Sequence, residues 1–199
     1  MTDQSNLHVY MDWIKERLDE MDATLASLEN TATKMQADSR VKADSALKDI
    51  RSARDTFRTS LKQHADASKD AFDHSKVALE EQWTAFETNV QTFMEAAGKQ
   101  AKQQQDTFHA RADAQRKTWQ AMMDKLQHDA SSLAAKHRPE VETALKLMKS
   151  EADVANAKLE KLHQAGSESW VAFKTALGET RASLERASQA VHEAFKRAA

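Results

Sequence analysis

The stretch LHVYMDWIKERLDEMDATLASLENTATKM, residues 7–35, decides the fold of this chain of 199 residues. Its apolar residues alternate in steps of four and three: Leu7, Met11, Ile14, Leu18, Met21, Leu25, Leu28, Ala32 and Met35. A spacing that averages 3.5 residues keeps one stripe of a helix facing a partner helix. The stretch therefore predicts a long helix that packs along an apolar seam.

The same spacing continues through the rest of the chain. Between Ala32 and Ala43 the seam slips by one residue, which is an interruption of the stutter kind. Gly98 lies inside a later run, where one glycine costs about 1 kcal/mol and is expected to bend the helix at most. The seam carries Ala and Gln instead of large apolar residues between Ala97 and Gln115, which predicts looser packing or a hinge.

Three positions carry helix-boundary signals. Pro139 fits the first turn of a helix, because the N–H group that proline lacks has no partner there. Gly166 and Ser167 are typical of a helix end followed by a new N-cap, and Asp66 with Ser68 gives a weaker version of that signal. We therefore expect helices over roughly residues 5–65, 69–136 and 140–198.

These elements predict an all-α fold, an elongated antiparallel coiled coil or helical bundle of about three long helices in a single extended domain, residues 1–199. A break near Gly166 would add a fourth helix. A closed three-helix bundle and hairpins completed by dimerisation both fit. A shift of 98 residues places Leu61 on Leu159 and Phe72 on Trp170, which indicates an internal duplication of residues 1–100 and 101–199.

Composition supports a helical rod and excludes several classes. The chain has three glycines and one proline, too few for the turns of a β-rich fold, and 30% of its residues are charged. Cysteine is absent, so there is no disulfide or thiolate chemistry. The first residues lack the features of a secretion signal, and no apolar run reaches the roughly 18 residues of a membrane span. We expect a cytoplasmic protein.

Two segments resemble a known family. They are YMDWIKERLDEMDATLASLE, residues 10–29, and ASKDAFDHSKVALEEQWTAF, residues 67–86. The chain resembles bacterial stress-responsive coiled-coil proteins of the type first described in cyanobacteria, in which a tyrosine and a tryptophan lead a heptad run and an Ala-Ser-x-x-Ala-aromatic stretch follows. The matching positions are Tyr10, Trp13, Ser68, Ala71 and Phe72.

The resemblance covers residues 10–95 and, more faintly, 108–195, and it departs from the family where Phe72 replaces the expected tryptophan. It implies a stress-related role and no catalytic residues. A weaker likeness links the chain to apolipoprotein-like helices and to the phasins that coat polyester granules.

The candidate chemical groups are few. Glu160 with His163 has the Glu-x-x-His spacing of di-iron bundles, and Asp106 with His109 is a weaker analogue, but both pairs lie beside the predicted seam. Helix-end histidines at positions 64, 137 and 163 fit an interaction with the helix dipole. The tryptophans at positions 13, 83, 119 and 170 fit core packing, or anchoring to a lipid or polymer surface. The sequence predicts no catalytic residue, no metal and no cofactor.

The sequence therefore predicts a non-enzymatic coiled-coil structural or interaction protein, related to stress through the resemblance. Its partners are expected to be other copies of itself, in a homo-oligomer, or partner helices. The alternative is an amphipathic coat protein that binds a lipid or polyester-granule surface. Residues 99–138 are mildly basic but lack dense basic clusters, so nucleic acid is not expected as a partner.

Overall fold

The computed structural model describes residues 2–64, 69–98, 101–135, 138–165 and 169–198, and it contains six helices and no strand in these ranges. In chain order they are α1 Thr2–Ala32, α2 Ala37–His64, α3 Lys69–Ala96, α4 Ala101–Ser131, α5 Arg138–Ala165 and α6 Trp170–Ala198. The predicted all-α class and its bundle-like character are confirmed. No helix of the described ranges is both long enough and apolar enough to cross a membrane.

The predicted count of about three long helices is wrong. Three predicted boundaries do separate helices: α3 begins at Lys69, α5 begins at Arg138 beside Pro139, and α6 begins at Trp170. The residues that carried two of these boundary predictions, 66–68 and 166–167, lie outside the described ranges. Two further breaks, between α1 and α2 and between α3 and α4, divide helices that the seam spacing had predicted to be continuous.

The break between α1 and α2 falls in the region where the seam slips. The backbone N–H of Lys34 donates to the Thr31 carbonyl at 2.9 Å, and that of Met35 donates to the Ala32 carbonyl at 3.2 Å. The Thr33 hydroxyl donates to the Asn30 carbonyl at 2.7 Å. The threonine hydroxyl competes in this way for a helical carbonyl, so a polar stretch can end a helix without glycine or proline.

The break after α3 depends on Gly98. Its φ is +78°, in the left-handed region that closes many helices. Its N–H donates to the Glu95 carbonyl at 3.2 Å, and that of Ala97 donates to the Phe93 carbonyl at 2.9 Å. The expectation that this glycine would only bend the helix is wrong, because it provides the backbone conformation that ends α3.

We expect opposite effects from alanine at two glycines. Gly98→Ala should lower the free energy of unfolding by about 1 kcal/mol, since a side chain disfavours the left-handed conformation. Gly178→Ala, inside α6, should raise it by about 0.5–1 kcal/mol through helix propensity. A Cβ atom at either position would meet no heavy atom within 4 Å, so the two differ only in backbone conformation. Urea unfolding measures both, and a Gly98→Ala protein as stable as the parent would contradict this account.

The chain divides into two compact units. The central unit is Arg17–Arg111, and the terminal unit combines Met1–Glu16 with Ala112–Ala199. The division falls inside α1 and inside α4, so each of these helices contributes one segment to each unit.

In the central unit, the helices alternate in direction. Arg51 of α2 contacts Glu29 of α1 at 2.8 Å, and Arg58 contacts Asp22 at 2.9 Å, so later residues of α2 meet earlier residues of α1. Gln82 of α3 donates to the Ser60 hydroxyl of α2 at 3.2 Å. Fully buried side chains from all four helical segments fill the core: Met21, Leu28, Ile50, Phe57, Leu79, Phe86, Phe93 and Phe108.

In the terminal unit, α5 and α6 form an antiparallel pair. Lys158 of α5 contacts Glu179 of α6, and the Ser183 hydroxyl donates to the Glu151 carboxylate at 2.6 Å. Later residues of α6 therefore meet earlier residues of α5. The apolar core combines residues of α4, α5 and α6, namely Trp119, Met122, Leu126, Met148, Ala152, Ala155, Leu184, Ala187 and Val191. A smaller cluster of Ala130, Val141, Ala194 and Ala198 lies at one end.

Buried positions recur at the spacing of 98 residues. Buried pairs at this distance include Met21 and Trp119, Leu28 and Leu126, Ile50 and Met148, Leu79 and Leu177, Phe86 and Leu184, and Phe93 and Val191. The helix lengths also run in parallel, with 31, 28 and 28 residues in α1–α3 and 31, 28 and 29 in α4–α6. A shift of 98 residues therefore places the buried face of α1–α3 on the buried face of α4–α6.

Candidate functional site

A buried ion-pair cluster occupies the core of the central unit. The guanidinium of Arg111, from α4, lies between the carboxylates of Glu20 in α1 and Glu87 in α3. Arg111 Nη2 and Nε donate to Glu20 Oε2 at 2.9 and 3.1 Å, and Nη1 donates to Glu87 Oε2 at 3.3 Å. The side chains of Arg111 and Glu20 are 0% exposed and that of Glu87 is 13% exposed. The cluster therefore joins three helices through charge-assisted hydrogen bonds.

Trp83 of α3 forms a wall of this cluster. The guanidinium carbons of Arg17 and Arg111 lie 5.5 and 5.6 Å from the centroid of its ring, within the range of cation–π attraction. The Trp83 ring also stacks with the ring of Phe86, at a centroid distance of 5.6 Å. The aromatic ring thus shields the cations from water while it packs against the apolar core.

The electrostatics of the cluster fix Arg111 in its charged form. Burial by itself lowers the pKa of Arg111, but the Glu87 and Glu20 carboxylates outweigh that effect and raise the pKa above its usual range. The Glu20 and Glu87 carboxylates accept hydrogen bonds from the Arg111 guanidinium, and these bonds hold the guanidinium protons in place. The cluster is suited to fixing helix positions and unsuited to exchanging a proton with a substrate.

The terminal unit has a polar cluster of its own. Trp119 Nε1 donates to Glu16 Oε1 at 3.1 Å, and Arg181 Nε lies 3.9 Å from the same oxygen. Gln115 donates to the Leu177 carbonyl at 3.1 Å and accepts from the Thr180 hydroxyl at 3.1 Å. These polar residues are all buried. Each polar atom named here has a hydrogen-bond or ionic partner, so this cluster also serves packing.

Sequence reasoning missed both clusters. It predicted looser packing or a hinge between Ala97 and Gln115, and it did not predict that Gln103, Gln104, Thr107, Arg111 and Gln115 are buried there. The small seam residues there leave room that long polar side chains fill. The only signal in the sequence was this depletion of large apolar residues, which does not identify the partners.

The sequence-predicted candidates for metal binding are not brought together. Glu160 is exposed and accepts from Gln164 at 2.8 Å, while His163 is half-buried in the last turn of α5. Asp106 and His109 are exposed, and Asp106 lies 3.5 Å from Lys102. The side chain of His64 and all of His137 lie outside the described residues. Within the described ranges, no three histidine or carboxylate groups could hold one metal ion.

The four tryptophans are all buried, with 1–9% exposure for Trp119, Trp170, Trp13 and Trp83. This placement agrees with core packing, the first of the two roles that the sequence suggested. In the folded chain none of these rings is available to a lipid or polymer surface.

Each of the two units has a groove on its described surface. The polar groove lies in the central unit, and its lining includes Ser27, Lys34, Met35, Ser39, Lys102 and Gln103. A second groove lies in the terminal unit between α4 and α5, and its lining includes Met123, Asp124, Arg138, Leu145, Lys146 and Lys149. Arg138 there donates to the Ser131 and Leu133 carbonyls at 3.0 and 3.1 Å, which ties it to the end of α4.

Comparison of the chain with protein-family models, with curated proteins and with solved structures found no match.

Proposed function

We propose that this chain is a non-enzymatic structural protein that acts through its folded helical surfaces. The observation that supports this most directly is the use of its buried charges. Arg111, Glu20 and Glu87 bind one another in the core of the central unit, and Glu16 binds Trp119 in the terminal unit. These groups hold helices together, and they line neither of the two grooves described above.

The proposed partner is a second copy of the chain, and the proposed contact lies on α5. Leu147 and Val154 are 56% and 65% exposed and stand one heptad apart, on one face of the helix. A two-fold contact brings Leu147 of one copy against Val154 of the other.

We expect light scattering coupled to size-exclusion chromatography to show a species with twice the mass of one chain. The double variant Leu147→Gln with Val154→Gln should elute as a single chain, because glutamine removes the apolar contact. Val77→Gln is the matched control, since Val77 is 57% exposed on α3 of the central unit. A wild-type protein that stays a single chain at every concentration, or a double variant that still pairs, would refute the α5 contact.

A coat protein for lipid or polyester surfaces is the less favoured function. Such a protein must lay continuous apolar helix faces on the surface. The inward faces of α1 and α4 carry Glu16, Glu20 and Arg111, whose buried charges would lose their partners if the helices opened on an apolar phase. This arrangement supports the structural proposal over the coat.

Three further parts of the proposal depend on the sequence. The stress-related role derives from the family resemblance, and the cytoplasmic location from the composition. The internal duplication gains support from the buried positions that recur at 98 residues and from the matching helix lengths. We propose that α1–α3 and α4–α6 derive from one three-helix segment.

A further inference from the structure

The polar groove of the central unit contains a hydrogen-bond donor without an acceptor. Gln103, in the first turn of α4, is 5% exposed and lines this groove. Its amide nitrogen is buried and has no hydrogen-bond partner in the part of the chain that the structure describes. An unsatisfied buried donor costs about 1–3 kcal/mol, so an acceptor supplied by a bound molecule would recover that free energy.

The surroundings of Gln103 favour an anionic acceptor. Lys34 and Lys102 line the same groove, against one carboxylate, that of Asp106. Asp106 is 58% exposed and lies 3.5 Å from Lys102, so it offsets part of one of the two positive charges. The lining residues that the structure describes therefore carry a net charge of about +1 at neutral pH.

The N-terminus of α4 adds positive potential at this end of the unit, whereas the first turn of α2 contains Asp38. α2 begins at Ala37 and α4 begins at Ala101, next to lining residues Ser39 and Lys102. The first turn of a helix presents backbone N–H groups without partners in the helix, and its dipole favours negative charge. The first turn of α4 holds no acidic side chain that could take this role.

We propose that the polar groove binds a phosphate group, either free or carried by a small molecule. A tetrahedral oxyanion presents several acceptor oxygens in different directions. Here the Gln103 amide approaches from α4, the Lys34 ammonium from the turn after α1, and the Ser39 hydroxyl from the first turn of α2. This site is independent of the proposed contact on α5 and would add ligand binding to a structural protein.

Isothermal titration of the full chain with inorganic phosphate at low salt tests the site. We expect one saturable site per chain, and dissociation constants at least tenfold higher for Gln103→Leu and for Lys34→Gln. Gln103→Leu removes an unpartnered donor, so the variant should remain folded, as circular dichroism will show. Gln189→Leu on α6 and Lys125→Gln on α4 are matched controls at exposed positions of the terminal unit, and they should bind like the parent.

A parallel arm distinguishes the source of the phosphate. Flotation with vesicles that contain phosphatidic acid tests a lipid headgroup, using the same four variants. Binding of free phosphate that the two groove variants lose supports a soluble ligand, and binding that occurs only on vesicles and is lost by the same variants assigns the site to a headgroup. Absence of binding in both arms, or equal losses in the groove and control variants, would overturn the proposal.

Discussion

Replacing Arg111 with leucine is expected to lower the free energy of unfolding by about 3–5 kcal/mol, the usual effect of removing one partner from a buried ion pair. The substitution removes the cation that lies between Glu20 and Glu87 and binds both of them. Urea unfolding at neutral pH measures the loss. Arg116→Leu is the control on the same helix, because Arg116 is 55% exposed and pairs only with Asp113 in the contacts of the described chain.

The pH dependence of the Arg111→Leu protein follows from proton linkage. Once the Arg111 cation that binds both of them is gone, the Glu20 and Glu87 carboxylates bind protons more readily in the folded chain than in the unfolded chain. The folded state then holds the excess protons, so the stability of the variant falls as the pH rises and recovers as the pH falls towards 5. A deficit relative to the parent that does not change between about pH 8 and pH 5 would contradict the assignment of the loss to these carboxylates.

A compensating variant separates charge from packing. Adding Glu20→Gln and Glu87→Gln to Arg111→Met removes all three charges, and such neutral replacements often restore stability. We expect this triple variant to be more stable than Arg111→Leu and to have lost its excess dependence on pH. Equal instability in both would show that the shape of the arginine side chain, rather than its charge, is what the core requires.

Replacing Phe86 with alanine is expected to lower the free energy of unfolding by about 3–5 kcal/mol, through lost burial and the cavity that remains. Phe86 is 0% exposed and stacks with Trp83, so its removal also removes this contact between the two rings. Leu25→Ala, at 5% exposure on α1, should cost about 2–5 kcal/mol.

Val77→Ala is the control for Phe86→Ala, because it truncates an apolar residue of the same helix that is 57% exposed. Its effect should stay within about 0.5 kcal/mol. Thermal unfolding, monitored by circular dichroism, compares the Phe86→Ala, Leu25→Ala and Val77→Ala proteins with the parent. Should Phe86→Ala melt at the temperature of the parent, the seam register derived from the 3.5-residue spacing would be wrong.

The apolar spacing predicted the helices and most inward faces, since Leu25, Ile50, Phe86 and Val191 are buried as their seam positions require. It could not predict the number of helices. A helix that turns back and packs on the preceding one needs the same 3.5-residue spacing, so the periodicity continues through a reversal. The turn at 33–36 has no glycine or proline, and Gly98 alone does not reveal its left-handed conformation.

The buried ion pairs could not be predicted from the sequence for a different reason. Arg111 and Glu20 lie 91 residues apart in the chain, and each stands beside a seam position occupied by Ala112 or Met21. A prediction from the spacing of apolar residues places residues next to a seam position on the solvent-facing side of the helix. Only the way in which three helices meet places a guanidinium between two carboxylates, and that arrangement is a tertiary property. The unpartnered amide of Gln103 is likewise visible only once its neighbours are known.

The division of the helices between the units bears on the order in which the ribosome delivers them. Residues 17–111 form the central unit as one uninterrupted piece, so it can fold as soon as that piece has left the exit tunnel. The terminal unit needs residues 1–16, which emerge before the central unit, together with residues 112–199, which emerge after it. Residues 1–16 must therefore wait until residues 112–199 have been made, and a nascent chain cut short after α4 would carry a complete central unit and an incomplete terminal unit.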